Sequence, residues 1–161
     1  MEDSIKIGIA GATGYVGLEL IKILIKHPKA NILYLFAKKS IGKNIYNFDK
    51  TLPKVNLPKI SKLKKADLKK IDILFSALPN GEAQKIANIL PEKTKLIDLS
   101  ADFRLSDYKV YEKWYGIKHK SKKLIKEAVY SVTEFSRNKL SKFKIISCPG
   151  CYPTSIQLPL I

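Results

Sequence analysis

The sequence predicts an α/β fold in which helices wind on both faces of a doubly wound, mostly parallel sheet. Two observations predict this class. Short apolar runs rich in β-branched residues alternate with segments of helical periodicity, and the first such run enters a glycine-rich turn that opens a helix. The chain has 161 residues, 45% of them hydrophobic and 27% charged, which suits one ordinary domain with an apolar core.

The first predicted elements form a β-α-β unit. Residues 5–10 alternate in polarity and end at a glycine turn, which is typical of a buried strand. A helix follows and stops at His27-Pro28, and residues 32–36 form a second strand, so the two strands are expected to pair in parallel. The predicted apolar face of this helix consists of Val16, Leu20, Ile21, Leu24 and Ile25. Residues 37–70, rich in proline and lysine, support no firm assignment.

Strands and helices continue to alternate in the rest of the chain. Residues 71–77, 96–99 and 144–147 are apolar runs that indicate buried strands. A helix between the first two of these strands is predicted from the spacing of Ala83, Ile86, Ala87 and Leu90. Another helix begins near Cys151. Ligands of such sheets bind beyond the carboxyl ends of the strands.

Charge and apolar patterning bear on the partners. The net charge is +16, but the basic residues are 28 lysines spread along the chain and only two arginines, Arg104 and Arg137. Proteins that bind nucleic acids typically use arginine side chains interleaved with aromatic residues. We therefore interpret the lysines as a solvent-exposed surface and not as a nucleic-acid-binding site. No apolar stretch approaches the ~20 residues of a membrane span. The acidic N-terminus resembles no signal or transit peptide, which favours the cytoplasm.

The strongest single motif is the glycine loop, residues 11–17, with the sequence G-A-T-G-Y-V-G. It follows a predicted strand and opens a predicted helix. Glycines at this place let a pyrophosphate approach the helix N-terminus, as in Rossmann dinucleotide-binding domains. The expected cofactor-binding residues here are Gly11, Thr13, Gly14, Tyr15, Val16 and Gly17.

The end of the second predicted strand bears on the choice of coenzyme. An NAD site usually presents an acidic residue there, whereas this chain has Lys38, Lys39 and Ser40. We therefore expect these three residues to bind the 2′-phosphate of NADP. The alternative is that the two lysines are simply exposed to solvent in a lysine-rich chain.

Two cysteines, Cys148 and Cys151, form a C-x-x-C motif. A redox pair is disfavoured because only ten residues follow the second cysteine. Zinc is disfavoured because there is no second cysteine pair and His27 and His119 lie at no ligand-like spacing, so no metal is predicted. Apart from coincidence, the remaining interpretation is that one cysteine is a catalytic nucleophile and the other has no catalytic role. Cys151 is the better nucleophile, because a helix start would stabilise its thiolate.

Several strings together resemble one family, the N-acetyl-gamma-glutamyl-phosphate reductases of arginine biosynthesis, which are related to the aspartate-semialdehyde dehydrogenases. The resemblance spans nearly the whole chain. The two most specific strings are D-L-S-A-D-F-R, residues 98–104, and P-G-C-Y-P-T, residues 149–154. Further matches are the glycine loop with Glu19-Leu20, Ala77-Leu78-Pro79, residues 111–116, residues 128–130 and Glu134.

The resemblance implies an enzyme with a cysteine thioester. Cys151 would attack the acyl phosphate of N-acetyl-gamma-glutamyl phosphate and expel phosphate, and NADPH would reduce the thioester to the semialdehyde. Pro79 would contact the cofactor. Substrate contacts would come from Ser100, Arg104 and Glu134, and the full-length enzyme would be a homo-oligomer. Equally open is that Asp102 and Arg104 form internal ion pairs that fix a loop.

The chain also departs from the family pattern. Asn80 replaces a usual histidine, residues 131–133 replace a usual Gly-Leu-Pro, and Cys148 replaces a usual asparagine. Family members are about twice as long, so we expect residues 1–147 to form the NADP-binding domain and 148–161 to begin a catalytic domain that is otherwise absent. The isolated chain is then expected to bind NADP without measurable turnover. Alternatives are a non-catalytic dinucleotide-binding module, or a reductase of aspartyl or acetyl-aminoadipyl phosphate.

Overall fold

The computed structural model describes residues 4–160, and the chain divides into two compact units, one ending at Ala77 and one beginning at Leu78. The acidic residues at the start of the chain and Ile161, on which two sequence observations depend, lie outside the described residues. Within each unit the strands pair in parallel, which confirms the α/β class. The sequence predicted a domain boundary after residue 147. The two compact units divide the chain at another point and do not test that boundary, which stays a prediction.

The first unit is a small parallel sheet with one long helix. Its strands are β1 (Ile5–Ala10), β2 (Ala30–Phe36), β3 (Ile60–Ser61) and β4 (Ile73–Ser76), in the spatial order β3-β2-β1-β4. Helix α1 (Tyr15–Ile25) connects β1 to β2, and the short α2 (Lys65–Leu68) precedes β4. The predicted β-α-β unit is confirmed, although β2 begins at Ala30, ahead of the predicted Ile32.

Aliphatic side chains hold α1 on this sheet. Ile21 and Leu24 of the helix share one buried cluster with Ile9 of β1 and Leu35 of β2. Each such side chain contributes about 1.5–3 kcal/mol when it is fully buried. The prediction that Val16 belongs to the buried face is wrong, since this side chain is 56% exposed. The buried residue of the first helical turn is its neighbour Gly17.

The segment that resisted assignment is only partly irregular. Besides β3 and α2, it contains a 3₁₀ turn at Ile45–Asn47, capped by the side chain of Asn44, which accepts the N–H of Tyr46. Ile45, Leu52 and Ile60 extend the cluster under α1. The many lysines between these isolated apolar residues hide any period.

The second unit has strands β5 (Lys95–Asp98), β6 (Ala128–Tyr130) and β7 (Ile145–Ser147), in the order β5-β7-β6. Asp98 and Tyr130 both pair with Ser147, so the three strands end at one level. Its helices are α3 (Glu82–Ala87), α4 (Tyr108–Tyr115), α5 (Thr133–Ser136) and α6 (Cys151–Gln157), with 3₁₀ turns at Lys122–Glu127, Arg137–Lys142 and Leu158–Leu160. Strands β5 and β7 and helices α3 and α6 were predicted, whereas β6, α4 and α5 were not.

Helix α4 is bounded by chemistry visible in the sequence. Asp107 is its N-cap and accepts the N–H of Lys109 at 2.7 Å, and Gly116 ends it with a positive φ of 65°. Tyr111 is its one buried residue. Among the described residues, no helix is long and apolar enough to cross a membrane.

Candidate functional site

The glycine loop is fastened to the end of β2. Gly11 adopts a φ of 85°, a conformation that favours glycine, and the N–H groups of Gly11 and Ala12 both donate to the carbonyl of Phe36, at 3.0 and 3.2 Å. Gly14 N–H donates to the carbonyl of Gly11 at 3.0 Å. The loop therefore has a fixed shape at the carboxyl ends of β1 and β2.

The N-terminus of α1 is open to solvent. Gly14 is the N-cap residue, it is exposed, and as a glycine it has no side chain that could cap the helix. Tyr15 is 92% exposed and Val16 is also exposed, whereas Thr13 is half-buried. Uncapped N–H groups at the start of a helix bind phosphate oxygens well. The loop thus fits the pyrophosphate of a dinucleotide.

The glycines of this loop serve different purposes. A Cβ on Gly17 would lie 2.3 Å from the carbonyl oxygen of Gly11 and 2.9 Å from Ala12 Cα, so this glycine is required for the helix to approach the strand end. A Cβ on Gly14 would meet only the Gly11 oxygen, at 3.4 Å, which is an ordinary contact. Gly14 therefore has room for a side chain within the protein, and that side chain would project into the open helix terminus.

The predicted 2′-phosphate residues follow β2 after one intervening residue, Ala37. Lys38 and Lys39 are exposed, and Lys38 takes part in a further contact within the protein. Ser40 has a φ of 63°, unusual for a non-glycine residue, and its carbonyl accepts the N–H of Lys43. Pro79, the remaining predicted cofactor contact, is an exposed residue of the second unit and accepts the N–H of Glu82.

The second unit carries the cysteine turn, residues 148–151, between β7 and α6. Cys151 is the first residue of α6, which confirms the predicted helix start, and it is exposed. Cys148 is half-buried, and its N–H donates to the carbonyl of Asp98 at 2.8 Å. Burial raises the pKa of the Cys148 thiol to about 11; the charge of Asp98 adds to this shift, and Arg104 opposes it.

The loop that follows β5, residues 98–104, is built from buried polar groups. Asp98 Oδ1 accepts the Ser100 N–H at 3.0 Å and its hydroxyl at 2.7 Å, whereas buried Oδ2 has no partner within the described residues. Burial raises the pKa of Asp98 to about 6, although the bonds from Ser100 oppose the shift. The predicted substrate residue Ser100 thus lies buried, with its hydroxyl bonded to this carboxyl group.

Asp102 is the centre of a buried network. Its carboxylate accepts the Gly81 N–H at 2.6 Å and the Gln84 N–H at 3.2 Å, which caps the start of α3. Tyr111 donates to the same carboxylate at 2.7 Å. The Asp102 carbonyl lies 2.8 Å from His119 Nε2, which donates because the Nδ1 atom of His119 accepts the N–H of Ser121.

Arg104 is bonded to main-chain oxygens instead of a carboxylate. Its Nε donates to the carbonyl of Cys148 at 2.9 Å and its Nη2 to that of Leu99 at 3.3 Å. Within the described residues, neither Asp102 nor Arg104 forms an ion pair, so the alternative that they fix a loop by internal ion pairs is wrong. Glu134, the third predicted substrate residue, is exposed on α5 beside a surface cavity lined by residues 134–139.

Sequence reasoning assigned no role to several buried polar residues that support these loops. They are Gln84, Asp98, Tyr111, His119 and Ser121. Tyr111 and Asp98 stood within the strings that carried the resemblance, but nothing in their spacing shows which groups they bond. Within residues 4–160, no group of three or more His, Cys, Asp or Glu side chains forms a possible metal site.

Comparison with known families identifies this arrangement. The family described as "Semialdehyde dehydrogenase, NAD binding domain" matches residues 6–143. The chain belongs to this family. A nicotinamide dinucleotide is accordingly the cofactor class of this domain, and the prediction of a dinucleotide-binding α/β domain is confirmed.

Curated relatives confirm the resemblance found in the sequence. The chain is 41% identical over 160 residues to the "Probable N-acetyl-gamma-glutamyl-phosphate reductase, chloroplastic" of Arabidopsis thaliana, covering 99% of this chain and 40% of the relative. It is 41% identical over 157 residues to the N-acetyl-gamma-glutamyl-phosphate reductase of Acinetobacter baumannii strain AYE, covering 97% and 45%. The chain thus spans less than half the length of these relatives.

Solved structures support the fold. Aspartate semialdehyde dehydrogenase with NADP from Candida albicans superposes with a TM-score of 0.60 at 21% identity, over 91% of this chain and 42% of that one. Aspartate semialdehyde dehydrogenase II from Vibrio cholerae gives a TM-score of 0.62 at 18% identity, over 93% and 39%.

Proposed function

We propose that this chain is part of an NADPH-dependent reductase that converts N-acetyl-gamma-glutamyl phosphate to N-acetylglutamate 5-semialdehyde and phosphate, with Cys151 as the nucleophile. The names of the curated relatives support this substrate, and the glycine loop and the lysines after β2 support NADP as the coenzyme. A cytoplasmic location and a homo-oligomeric assembly are predictions that accompany the proposal.

The contrast between the two cysteines carries the proposal. The thiolate is the nucleophilic form of cysteine. Cys151 is exposed at the start of α6, where a carbonyl carbon can reach its sulfur. Cys148 is half-buried, and its raised pKa keeps it a thiol near neutral pH. We therefore assign the nucleophile to Cys151 and a bystander role to Cys148.

The proposed chemistry has two stages at Cys151. Its thiolate attacks the acyl carbon, a C–S bond forms, and the C–O bond to phosphate breaks. When bound, NADPH supplies the hydride that reduces this thioester. The thiohemiacetal on Cys151 forms as its alkoxide, because the hydride adds without a proton. The alkoxide electron pair then re-forms the C=O bond, the C–S bond breaks, and the semialdehyde leaves with the Cys151 thiolate restored.

Covalent trapping tests the first stage on this chain alone. N-acetyl-gamma-glutamyl phosphate is mixed with the chain, which is quenched and digested, and the cysteine peptides are analysed by mass spectrometry. We expect the acyl mass on Cys151, its loss in Cys151→Ser, and its retention in Cys148→Ser. An adduct confined to Cys148, or one that persists on another group in Cys151→Ser, would contradict the proposal.

Turnover tests the second stage. The product of the complete reading frame, supplied with N-acetylglutamate semialdehyde, phosphate and NADP, should form NADPH. The same assay with aspartate semialdehyde serves as the substrate control. Faster turnover of aspartate semialdehyde would assign the protein to a different acyl phosphate while leaving the role of Cys151 intact.

A further inference from the structure

The guanidinium of Arg104 joins the ends of two neighbouring strands. Leu99 is the first residue after β5, Cys148 is the first residue after β7, and Arg104 donates to the carbonyl oxygen of each. A charged donor makes a stronger hydrogen bond than a neutral one. The side chain therefore fixes the point at which the chain leaves β7 and enters the cysteine turn.

Arg104 also packs against Gly150, the residue directly before Cys151. A Cβ on Gly150 would lie 3.1 Å from Arg104 Nη1 and 3.7 Å from its Cζ. Gly150 has a φ of −73° and a ψ of 168°, which any residue adopts. The atoms of Arg104, and not the backbone conformation, are thus the main obstacle to a side chain at position 150.

Within residues 4–160, the other hydrogen bonds of the cysteine turn lie at its two ends. The Cys148 N–H bonds to the carbonyl of Asp98 on the strand side. On the helix side, the Gly150 carbonyl accepts the N–H and the hydroxyl of Thr154, at 3.0 and 2.9 Å, and the N-cap residue Gly150 has no side chain that could cap α6. Between these ends, Arg104 donates to the Cys148 carbonyl, and its guanidinium lies where it would be 3.1 Å from a Cβ on Gly150.

We infer that Arg104 is a positioning residue, which holds residues 148–150 in the conformation that presents the Cys151 sulfur to an acyl carbon. This inference rests on the proposed function and deepens it. A role in substrate binding is distinct: it would use the three guanidinium N–H groups other than the Nε–H and the Nη2–H that are bonded to carbonyl oxygens of the protein. The positioning role also differs from a purely electrostatic role, which a lysine would fill.

A neutral acyl donor separates these roles. p-Nitrophenyl acetate carries neither phosphate nor carboxylate; the Cys151 thiolate forms a C–S bond to its acetyl group and expels nitrophenolate, which is measured as an absorbance burst. Acetyl phosphate, followed by mass spectrometry of the Cys151 peptide, is the parallel donor with a phosphate. Circular dichroism and thermal unfolding establish that each variant is folded.

We expect the burst rate constant with p-nitrophenyl acetate to fall by about tenfold in both Arg104→Ala and Arg104→Lys, the order of a hydrogen bond from a charged donor. Gly150→Ala should cause a fall in the same direction, because its Cβ would lie 3.1 Å from Arg104 Nη1 and the guanidinium would have to shift by a few tenths of an ångström. In the Arg104→Ala background, however, Gly150→Ala should change the rate by less than about twofold, because the obstacle has gone.

Each other outcome overturns a defined part of this inference. A loss of Arg104→Ala reactivity confined to acetyl phosphate would make Arg104 a phosphate-binding residue. Full activity of Arg104→Lys with the neutral donor would reduce its role to charge, and additive effects of Gly150→Ala and Arg104→Ala would remove the contact from the mechanism. A burst that survives in Cys151→Ser would instead contradict the proposed function.

Discussion

The hydroxyl of Tyr111 donates to the carboxylate of Asp102 at 2.7 Å, and both side chains are almost completely buried. This carboxylate also accepts the N–H groups that open α3, so one acidic side chain ties α3 and α4 to the 98–104 loop. Burial raises the pKa of Tyr111, and the bond to Asp102 raises it further. The phenol therefore remains a donor at all ordinary pH values.

Tyr111→Phe should destabilise the protein. Removing the hydroxyl leaves a buried carboxylate short of one donor, which costs about 1.5–3 kcal/mol in the free energy of unfolding. Urea denaturation measures the loss. Tyr115→Phe is the matched control, because its ring stacks on Tyr111 at a centroid distance of 4.8 Å. Both substitutions keep the ring and remove only a hydroxyl, so equal stability losses in the two variants would show that the bond to Asp102 does not explain the effect.

Asp98 should make stability fall as the pH rises through the acid range. Its pKa is raised from 3.8 to about 6 in the folded protein, chiefly by burial, so the folded state holds this proton more tightly than the unfolded state does. The neutral carboxyl group of Asp98 stabilises the folded state fully below about pH 4. As the pH rises through about 6 this stabilisation is lost, and the free energy of unfolding falls by about 2–3 kcal/mol.

Asp98→Asn tests this pH dependence. Urea midpoints of the variant and the parent chain, measured from about pH 4 to about pH 7, should diverge in favour of the variant as the pH rises. Glu92→Gln removes an exposed carboxyl group of the same unit and serves as the control. Parallel profiles of the Asp98→Asn and parent proteins would show that Asp98 ionises at its ordinary pKa.

Local periodicity accounts for what the sequence predicted correctly. The run 5–10, the glycine loop and the helical spacing up to Ile25 each depend on residues close in the chain, and these elements formed as expected. The Asp102 network was not predictable in this way, since Gly81 and Asp102 are 21 positions apart and Gln84 and Tyr111 are 27 apart. The sequence motifs show that these polar residues are present, but they do not show which groups the residues bond.

The glycine loop offers a test that separates folding from binding. Gly17→Ala places a Cβ against the main chain of Gly11 and Ala12, so thermal unfolding should occur at a clearly lower temperature. Gly14→Val should leave the unfolding temperature almost unchanged, because that position is exposed and has room. The Gly14→Val side chain should nevertheless abolish dinucleotide binding in calorimetric titration, by blocking the helix terminus. Normal affinity in Gly14→Val would place the pyrophosphate elsewhere.

Lys38 and Lys39 should give the chain a preference for NADP over NAD. Both lysines are exposed at the end of β2, which offers no acidic residue to the ribose hydroxyls. Fluorescence titration should show tighter binding of NADP, and the preference should shrink with added salt, because surface charge contacts are screened over about 10 Å at 0.1 M ionic strength. Lys38→Ala with Lys39→Ala should weaken NADP binding and leave NAD binding unchanged.

The exposed pair Lys69 and Lys70, changed in the same way, controls for net charge. Equal affinities for the two coenzymes in the parent chain would exclude a 2′-phosphate role for these lysines, and an equal loss in the Lys69 and Lys70 variant would make the effect one of overall charge.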